Sequence, residues 1–270
     1  MVIDFHTHLF PEKIASKAIA KLEEGIVRTQ GSAVLTANTD GTREGLLKSM
    51  NENGVDMSIV MPIATTPTQH RTINNFAKEV TDNERIISFG SLHPMQEDWK
   101  ETLSYIADEG FKGIKLHPEF QDFYVDEPVI MNIVKKAADL NLYVLFHSGA
   151  DLGYHPPVHC TPERLRKVID KCGGENIIAA HFGGFMMWED VKTYLAGTPI
   201  MMDTSMTSGY LDKDLFREIV SLHGIDKILF GSDSPWQTPT QSLNFLESTG
   251  LSDDELEMIK HKNAEKVLGL

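Results

Sequence analysis

Two histidines, His6 and His8, stand one residue apart at the end of a short apolar segment near the amino terminus. Alternate residues of a strand point to the same side, so both imidazoles can approach one ion if this segment is a strand. Zinc in enzymes prefers imidazole nitrogen and carboxylate oxygen, and a catalytic zinc keeps one position for water or substrate. The spacing alone also fits two core histidines, so a metal site requires further ligands elsewhere in the chain.

Further candidate ligands end other predicted strands: His147, His181 and Asp233. In a parallel barrel all carboxyl ends of the strands share one rim, where active sites lie. Each residue alone has a structural explanation, such as a buried histidine bonded to backbone or an aspartate that caps a helix. Their joint placement favours a metal held by His6, His8, His147 and Asp233. We interpret His181 as the acid/base and Asp233 as a ligand that also helps to orient water.

Short apolar or β-branched runs alternate with amphipathic helical stretches along the whole chain, which predicts parallel strands with helical crossovers. We predict strands at Val2–His6, Asp56–Pro62, Ile86–Ser91, Gly113–His117, Leu142–His147, Asn176–His181, Pro199–Asp203 and Lys227–Asp233. Eight strands predict an α/β fold, a (β/α)8 TIM barrel, formed by a single domain over residues 1–270. An open doubly wound sheet is the alternative, but a Gly-rich turn would then follow the first strand. Residues 11–41 are predicted to form an insertion over the barrel mouth.

Composition limits the classes of function. The net charge is -14, and no Lys/Arg cluster suggests a nucleic-acid surface. The apolar runs are too short to cross a bilayer, and the first residues lack a basic signal-peptide region, so we expect a cytoplasmic protein. Two cysteines, Cys160 and Cys172, form no metal or disulfide pattern. The expected partner is a small-molecule substrate, and a homodimer is compatible with such barrels.

Five segments resemble motifs of the amidohydrolase superfamily, more closely its amidohydrolase-related branch, which includes aminocarboxymuconate-semialdehyde decarboxylase. These segments are Ile3–His8, Gly113–Pro118, Phe146–Gly149, Ala180–Gly184 and Gly231–Pro235, and the closing Asn263–Leu270 is also similar. The resemblance implies one divalent metal, usually zinc, on His6, His8, His147 and Asp233, with His181 activating water. Manganese, iron and cobalt also suit such ligands.

Binuclear members of the superfamily carry a carboxylated lysine at the end of the fourth strand, where this chain has Lys115 and His117. Lys115 is therefore either such a bridge or a residue that packs lower in the barrel. His117, nearer the rim, is a candidate substrate contact, as are Lys115, Arg71 and Trp236. TatD-type nucleases share the first histidine pair but would have a glutamate at this strand end.

Two reactions suit this machinery. The favoured one is hydrolysis, in which metal-activated water attacks an amide, ester or lactone of a small molecule. The alternative is zinc-dependent, non-oxidative decarboxylation of a small unsaturated or aromatic carboxylic acid. The serine-hydrolase elbow, HExxH, Walker A and GxGxxG motifs are all absent from the sequence.

Overall fold

A computed structural model describes residues 1–270, in which strands and helices alternate from end to end. The strands are β1 (Ile3–Thr7), β2 (Met57–Val60), β3 (Ile86–Ser88), β4 (Gly90–Ser91), β5 (Gly113–Leu116), β6 (Tyr143–Phe146), β7 (Ile177–Ala179), β8 (Met201–Asp203) and β9 (Ile228–Leu229). The helices are α1 (Glu12–Gln30), α2 (Arg43–Asn53), α3 (His70–Val80), α4 (Trp99–Asp108), α5 (Pro118–Gln121), α6 (Pro128–Asp139), α7 (Pro162–Cys172), α8 (Trp188–Tyr194), α9 (Lys213–His223), α10 (Pro239–Glu247), α11 (Asp253–Glu257) and α12 (Asn263–Leu268).

Every strand pair is parallel, and the strands form two ladders, β1-β2-β3 and β4-β5-β6-β7-β8-β9. Only Phe89 separates β3 from β4, and its amide still donates to the carbonyl of Val60 in β2 at 2.9 Å. We therefore treat β3 and β4 as one interrupted strand, the third of eight. The predicted number of strands is confirmed.

Backbone hydrogen bonds also join the first strand to the last. The amide of Phe5 donates to the Phe230 carbonyl at 2.8 Å, and the amide of Asp233 donates to the His6 carbonyl at 2.8 Å. Thr7 and Ser234 form an isolated parallel bridge. The two ladders are thus parts of one (β/α)8 barrel, and the predicted fold class is confirmed.

Alternation along the strands places the polar rim residues. In β6, Val144 and Phe146 join the core beneath the helices, whereas Leu145 joins a second core of strand residues. Lys115 of β5 pairs with Leu145, between two neighbours that face the helices. Residues beyond the strand ends continue this alternation, which brings His117 and His147 to the same side.

The segment 11–41 contains α1 followed by an irregular stretch. Thr29 donates through its hydroxyl to the Gly153 carbonyl at 2.9 Å, in the loop after β6. The Asn38 amide donates to the Pro235 carbonyl at 2.7 Å, in the loop after β9. This segment therefore contacts two of the loops that follow strands at the rim.

Local sequence signals set several helix boundaries. Thr161 caps α7, its hydroxyl accepting from the Arg164 amide, and Ser252 forms a capping box with Glu255. A π-helical turn over Met258–Lys262 separates α11 from α12. No helix has both the length and the apolar character needed to cross a membrane.

Candidate metal centre

The ends of the first and last strands bring three potential ligands together. The Nε2 atoms of His6 and His8 lie 3.2 Å apart. Asp233 Oδ1 lies 3.2 Å from His8 Nε2 and 3.5 Å from His6 Nε2. This carboxylate oxygen is buried and has no hydrogen-bond partner. The structure thus brings together three of the four ligands predicted from the sequence.

The hydrogen bond made by Nδ1, the ring nitrogen that faces away from this cluster, fixes the tautomer of His6 and of His8. His6 Nδ1 lies 2.8 Å from Asp203 Oδ2, and His8 Nδ1 lies 2.9 Å from the carbonyl oxygen of Met61. An ionised carboxylate and a carbonyl only accept hydrogen bonds, so each Nδ1 carries the proton and donates it. Both Nε2 atoms therefore present lone pairs toward each other and toward Asp233. These three acceptors suit a divalent cation, and the one proton donor beside them is the amine of Lys115 at His6 Nε2.

Lys115 is fully buried, and its Nζ lies 3.2 Å from His6 Nε2. Burial lowers the pKa of this ammonium to about 8, although the charges of Asp203 and Asp233 act in the opposite direction. The side chain lies beside the ligand cluster rather than lower in the barrel. Its position leaves the carboxylated-lysine alternative open.

His147 and His181 form a second contact between imidazoles, with His147 Nδ1 2.9 Å from His181 Nε2. His147 Nε2 lies 3.2 Å from the carbonyl oxygen of Ala150, which can only accept. The ring of His181 stacks on that of His6, with centroids 5.1 Å apart. His181 is thus beside the ligand cluster, as predicted. His147 does not join the group formed by His6, His8 and Asp233, so its role as a ligand stays a prediction.

Burial favours the neutral form of His6, His147 and His181. Burial is the largest cause that lowers the pKa of His6, His147 and His181 well below the ordinary value, and neighbouring cationic groups act in the same direction. Burial likewise raises the pKa of Asp233. Neutral imidazole is the form that binds a metal or accepts a proton, so the environment suits both roles.

His117 lies on the opposite side of His147. The two rings stack with centroids 4.1 Å apart, and His117 Nε2 lies 3.3 Å from Asp151 Oδ2. Glu119 Oε2 is buried without a hydrogen-bond partner, 3.8 Å from His117 Nδ1. This polar surface adjoins the candidate centre through His147.

The other two predicted substrate contacts are placed differently. Trp236 is half-buried, and its amide donates to the Asp233 carbonyl at 2.8 Å, which closes a turn that begins at this ligand. Arg71 is exposed on α3 and makes no ion pair or hydrogen bond through its side chain. No contact links Arg71 to the candidate centre, and its role in substrate binding stays a prediction.

Four polar residues of this region were missed by the sequence analysis: Ser205, Asp203, Asp151 and Glu119. A signal existed for Asp203, because it ends the predicted strand Pro199–Asp203 at the rim that supplied the other candidates. Ser205 follows two residues later, with the same alternation. Asp151 and Glu119 lie in loops and helix starts, where acidic residues are common without any function.

The chain is similar to known proteins in both sequence and fold. A family model described as Amidohydrolase matches residues 3–270. Among proteins with curated annotation, no sequence matches this chain.

Solved structures share the fold over nearly their full length. A 2,6-dihydroxybenzoate decarboxylase in complex with 2,6-dihydroxybenzoate has a TM-score of 0.72 and 18% identity, covering 100% of this chain and 99% of that chain. The 5-carboxyvanillate decarboxylase of Novosphingobium aromaticivorans, in complex with manganese and 4-hydroxy-3-methoxy-5-nitrobenzoic acid, has a TM-score of 0.73 and 16% identity, covering 100% and 96%. An Acinetobacter baumannii protein described as a 2-pyrone-4,6-dicarboxylic acid hydrolase has a TM-score of 0.68 and 13% identity, covering 100% and 99%.

Proposed function

Because this chain belongs to the amidohydrolase family, we propose that it is a metal-dependent decarboxylase of a small unsaturated or aromatic carboxylic acid. The main support is the convergence of the unprotonated Nε2 atoms of His6 and His8 on the unpartnered Oδ1 of Asp233, with His181 alongside. The sequence favoured hydrolysis, but the structural neighbours favour its alternative, because several are decarboxylases of aromatic acids.

The ligand set suits one divalent ion, and zinc fits the imidazole and carboxylate donors best, with manganese as the competitor. His6, His8 and Asp233 would hold it, and His147 is the proposed fourth ligand. A bound ion supplies positive charge that binds the substrate carboxylate and stabilises charge that develops on the substrate. The buried ammonium of Lys115 adds a positive charge beside His6.

His181 performs the proton transfer in this proposal. Neutral His181 first takes up a proton from solvent at Nε2. The carbon that bears the carboxylate then takes this proton, using the electrons of the adjacent double bond. The bond to the carboxyl carbon then breaks, its electron pair restores the double bond, and carbon dioxide leaves. Solvent reprotonates His181 for the next cycle.

Hydrolysis is the second candidate, and the structural neighbour described as a 2-pyrone-4,6-dicarboxylic acid hydrolase favours it. Here neutral His181 removes a proton from the water that attacks an amide, ester or lactone carbon, and then returns the proton to the leaving group. The same ligands serve both reactions, so the product, rather than the metal content, separates them.

The test is release of labelled carbon dioxide. The zinc- or manganese-loaded protein is incubated with carboxyl-labelled 2,6-dihydroxybenzoate, 5-carboxyvanillate and related unsaturated acids, and with 2-pyrone-4,6-dicarboxylate for the hydrolytic arm. We expect carbon dioxide from at least one acid. Ring opening of the pyrone without carbon dioxide from any acid would contradict decarboxylation and favour hydrolysis.

His181→Ala tests the shared mechanism. We expect the variant to keep its metal and to lose about 10²- to 10⁴-fold in kcat, because only the proton transfer is removed. The matched control is His261→Ala, which removes a histidine paired with Glu257 and Glu265 on the carboxyl-terminal helices. An active His181→Ala variant with the rate of the control would rule out this role for His181.

A further inference from the structure

We propose that Asp203 and Ser205 are positioning residues that set the tautomers of a metal ligand, His6, and of the acid/base, His181, at the same time. This inference rests on the proposed function for the role of His181, but the contacts involve only residues of this chain. Neither residue belongs to the ligand set or to the predicted catalytic pair.

Asp203 connects both histidines through one buried carboxylate. Its side chain is fully buried at the end of β8. Oδ2 accepts from His6 Nδ1 at 2.8 Å, while Oδ1 accepts from the backbone amides of His181 at 3.1 Å and Ser205 at 3.0 Å. The carboxylate therefore fixes the ring of His6 and the backbone of His181 together.

Ser205 links this carboxylate to the ring of His181 through its hydroxyl. Its hydroxyl donates to Asp203 Oδ1, and its oxygen lies 2.8 Å from His181 Nδ1. A hydroxyl has one proton, and an ionised carboxylate has none to give. Ser205 must therefore accept from His181, so Nδ1 of His181 carries the proton.

This tautomer determines which ring nitrogen of His181 can accept a proton. With the proton on Nδ1, Nε2 of neutral His181 is unprotonated and faces His147 Nδ1 at 2.9 Å. His147 Nδ1 is also unprotonated, because His147 Nε2 donates to the Ala150 carbonyl, so the two facing lone pairs can take up a proton or a cation. Nε2 of His181 is the nitrogen on the side of the candidate centre, free to accept and return a proton. The loss of the Ser205 hydroxyl removes the only hydrogen-bond partner of His181 Nδ1 and with it the preference for this tautomer.

Replacement of Asp203 and replacement of Ser205 should have different effects on metal binding and on His181. Asp203 touches His6 directly, so its replacement should weaken metal binding, as the loss of a carboxylate behind a ligating histidine typically does by about 10- to 100-fold. Ser205 reaches His6 Nδ1 only at 3.2 Å, where Asp203 is the closer acceptor. Its replacement should leave metal affinity within about threefold of wild type and act on His181.

The experiment uses the full chain labelled with ¹⁵N-histidine and loaded with zinc, without substrate. Ring nitrogen shifts report the tautomer of His181, assigned by comparison with His181→Ala, and chelator competition reports the zinc dissociation constant. The variants are Ser205→Ala and Asp203→Asn. The matched control is Ser88→Ala, which removes a buried hydroxyl that donates to the Phe89 carbonyl at 2.9 Å and contacts no histidine.

We expect wild type and Ser88→Ala to show the Nδ1-protonated tautomer of His181, and Ser205→Ala to show a mixture with unchanged zinc affinity. Asp203→Asn should bind zinc about 10- to 100-fold more weakly. A Ser205→Ala protein with the tautomer of the control, or an Asp203→Asn protein with wild-type affinity, would overturn the proposal. If Asp203→Asn fails to fold, Ser205→Ala decides alone. These measurements do not depend on turnover, so a wild-type protein without decarboxylase activity would contradict only the proposed function.

Discussion

Two neighbouring groups at the barrel rim contain the same residue types, two histidines and one aspartate, with candidate ligand atoms within 4.8 Å of one another, and a third such set, His6, His181 and Asp203, overlaps one of them at His6. We call His6, His8 and Asp233 the first group, and His117, His147 and Asp151 the second group. Distance alone therefore does not distinguish a metal centre from a polar cluster.

The hydrogen bonds behind the rings do distinguish them. In the first group both Nδ1 atoms donate to fixed acceptors, so both Nε2 atoms have lone pairs that lie beside the unpartnered Asp233 Oδ1. In the second group the rings of His117 and His147 are nearly parallel, 16° apart, and His117 Nε2 can donate to Asp151. Parallel rings do not direct lone pairs to one point. We infer that the first group binds the metal, with His147 as the proposed fourth ligand, and that His117 and Asp151 of the second group contact substrate.

The largest expected effect comes from removing the first group. A double His6→Ala, His8→Ala variant should fall from about one metal per chain to less than about a tenth, because two imidazole ligands are lost. Inductively coupled plasma mass spectrometry measures this after reconstitution with zinc or manganese. Metal retained by the double variant would contradict the assignment, and two metals per wild-type chain would favour Lys115 as a carboxylated bridge.

A smaller effect should follow from changes in the second group. Asp151→Asn and His117→Ala should keep the wild-type metal content and raise KM by about 5- to 30-fold, the expected loss for one or two substrate hydrogen bonds. Metal analysis and steady-state kinetics with the substrate found above provide the measurements. Loss of metal from either variant would mean that the two groups act as one site.

The smallest effect concerns a buried histidine outside both groups. His223 donates through Nε2 to the Ile200 carbonyl at 2.9 Å, and burial, assisted by the charge of Lys227, lowers its pKa to about 4. The unfolded chain takes up this proton first as the pH falls, so stability present above pH 6.5 is lost toward pH 4. Between pH 7 and pH 5 the loss should be about 2 kcal/mol.

Urea unfolding of the metal-free protein at the two pH values, for wild type and His223→Phe, measures this contribution. We expect a shallower pH dependence in the variant, with the difference unchanged when zinc is added. Equal pH dependence in both proteins would show that burial alone does not hold this histidine neutral, and would weaken the same argument for the rim.

Much of the fold followed from the sequence because the alternation of strands and helices is regular and the rim residues end their strands. His6, His8 and Asp233 could be placed together on that basis alone. Asp203 ends a predicted strand in the same way, but its function depends on a hydrogen bond to His6, which only packing reveals. The position of Lys115 likewise depends on how its long side chain bends within the barrel.

The backbone hydrogen bonds between the first and last strands have a consequence for biosynthesis. His6 leaves the ribosome long before Asp233, and Phe5 long before the carbonyl of Phe230 that accepts from it. During this interval the nascent chain holds two histidines without the carboxylate that completes the group. Metal uptake would then mark the moment at which the ring of strands closes, so metal content would also report completed folding.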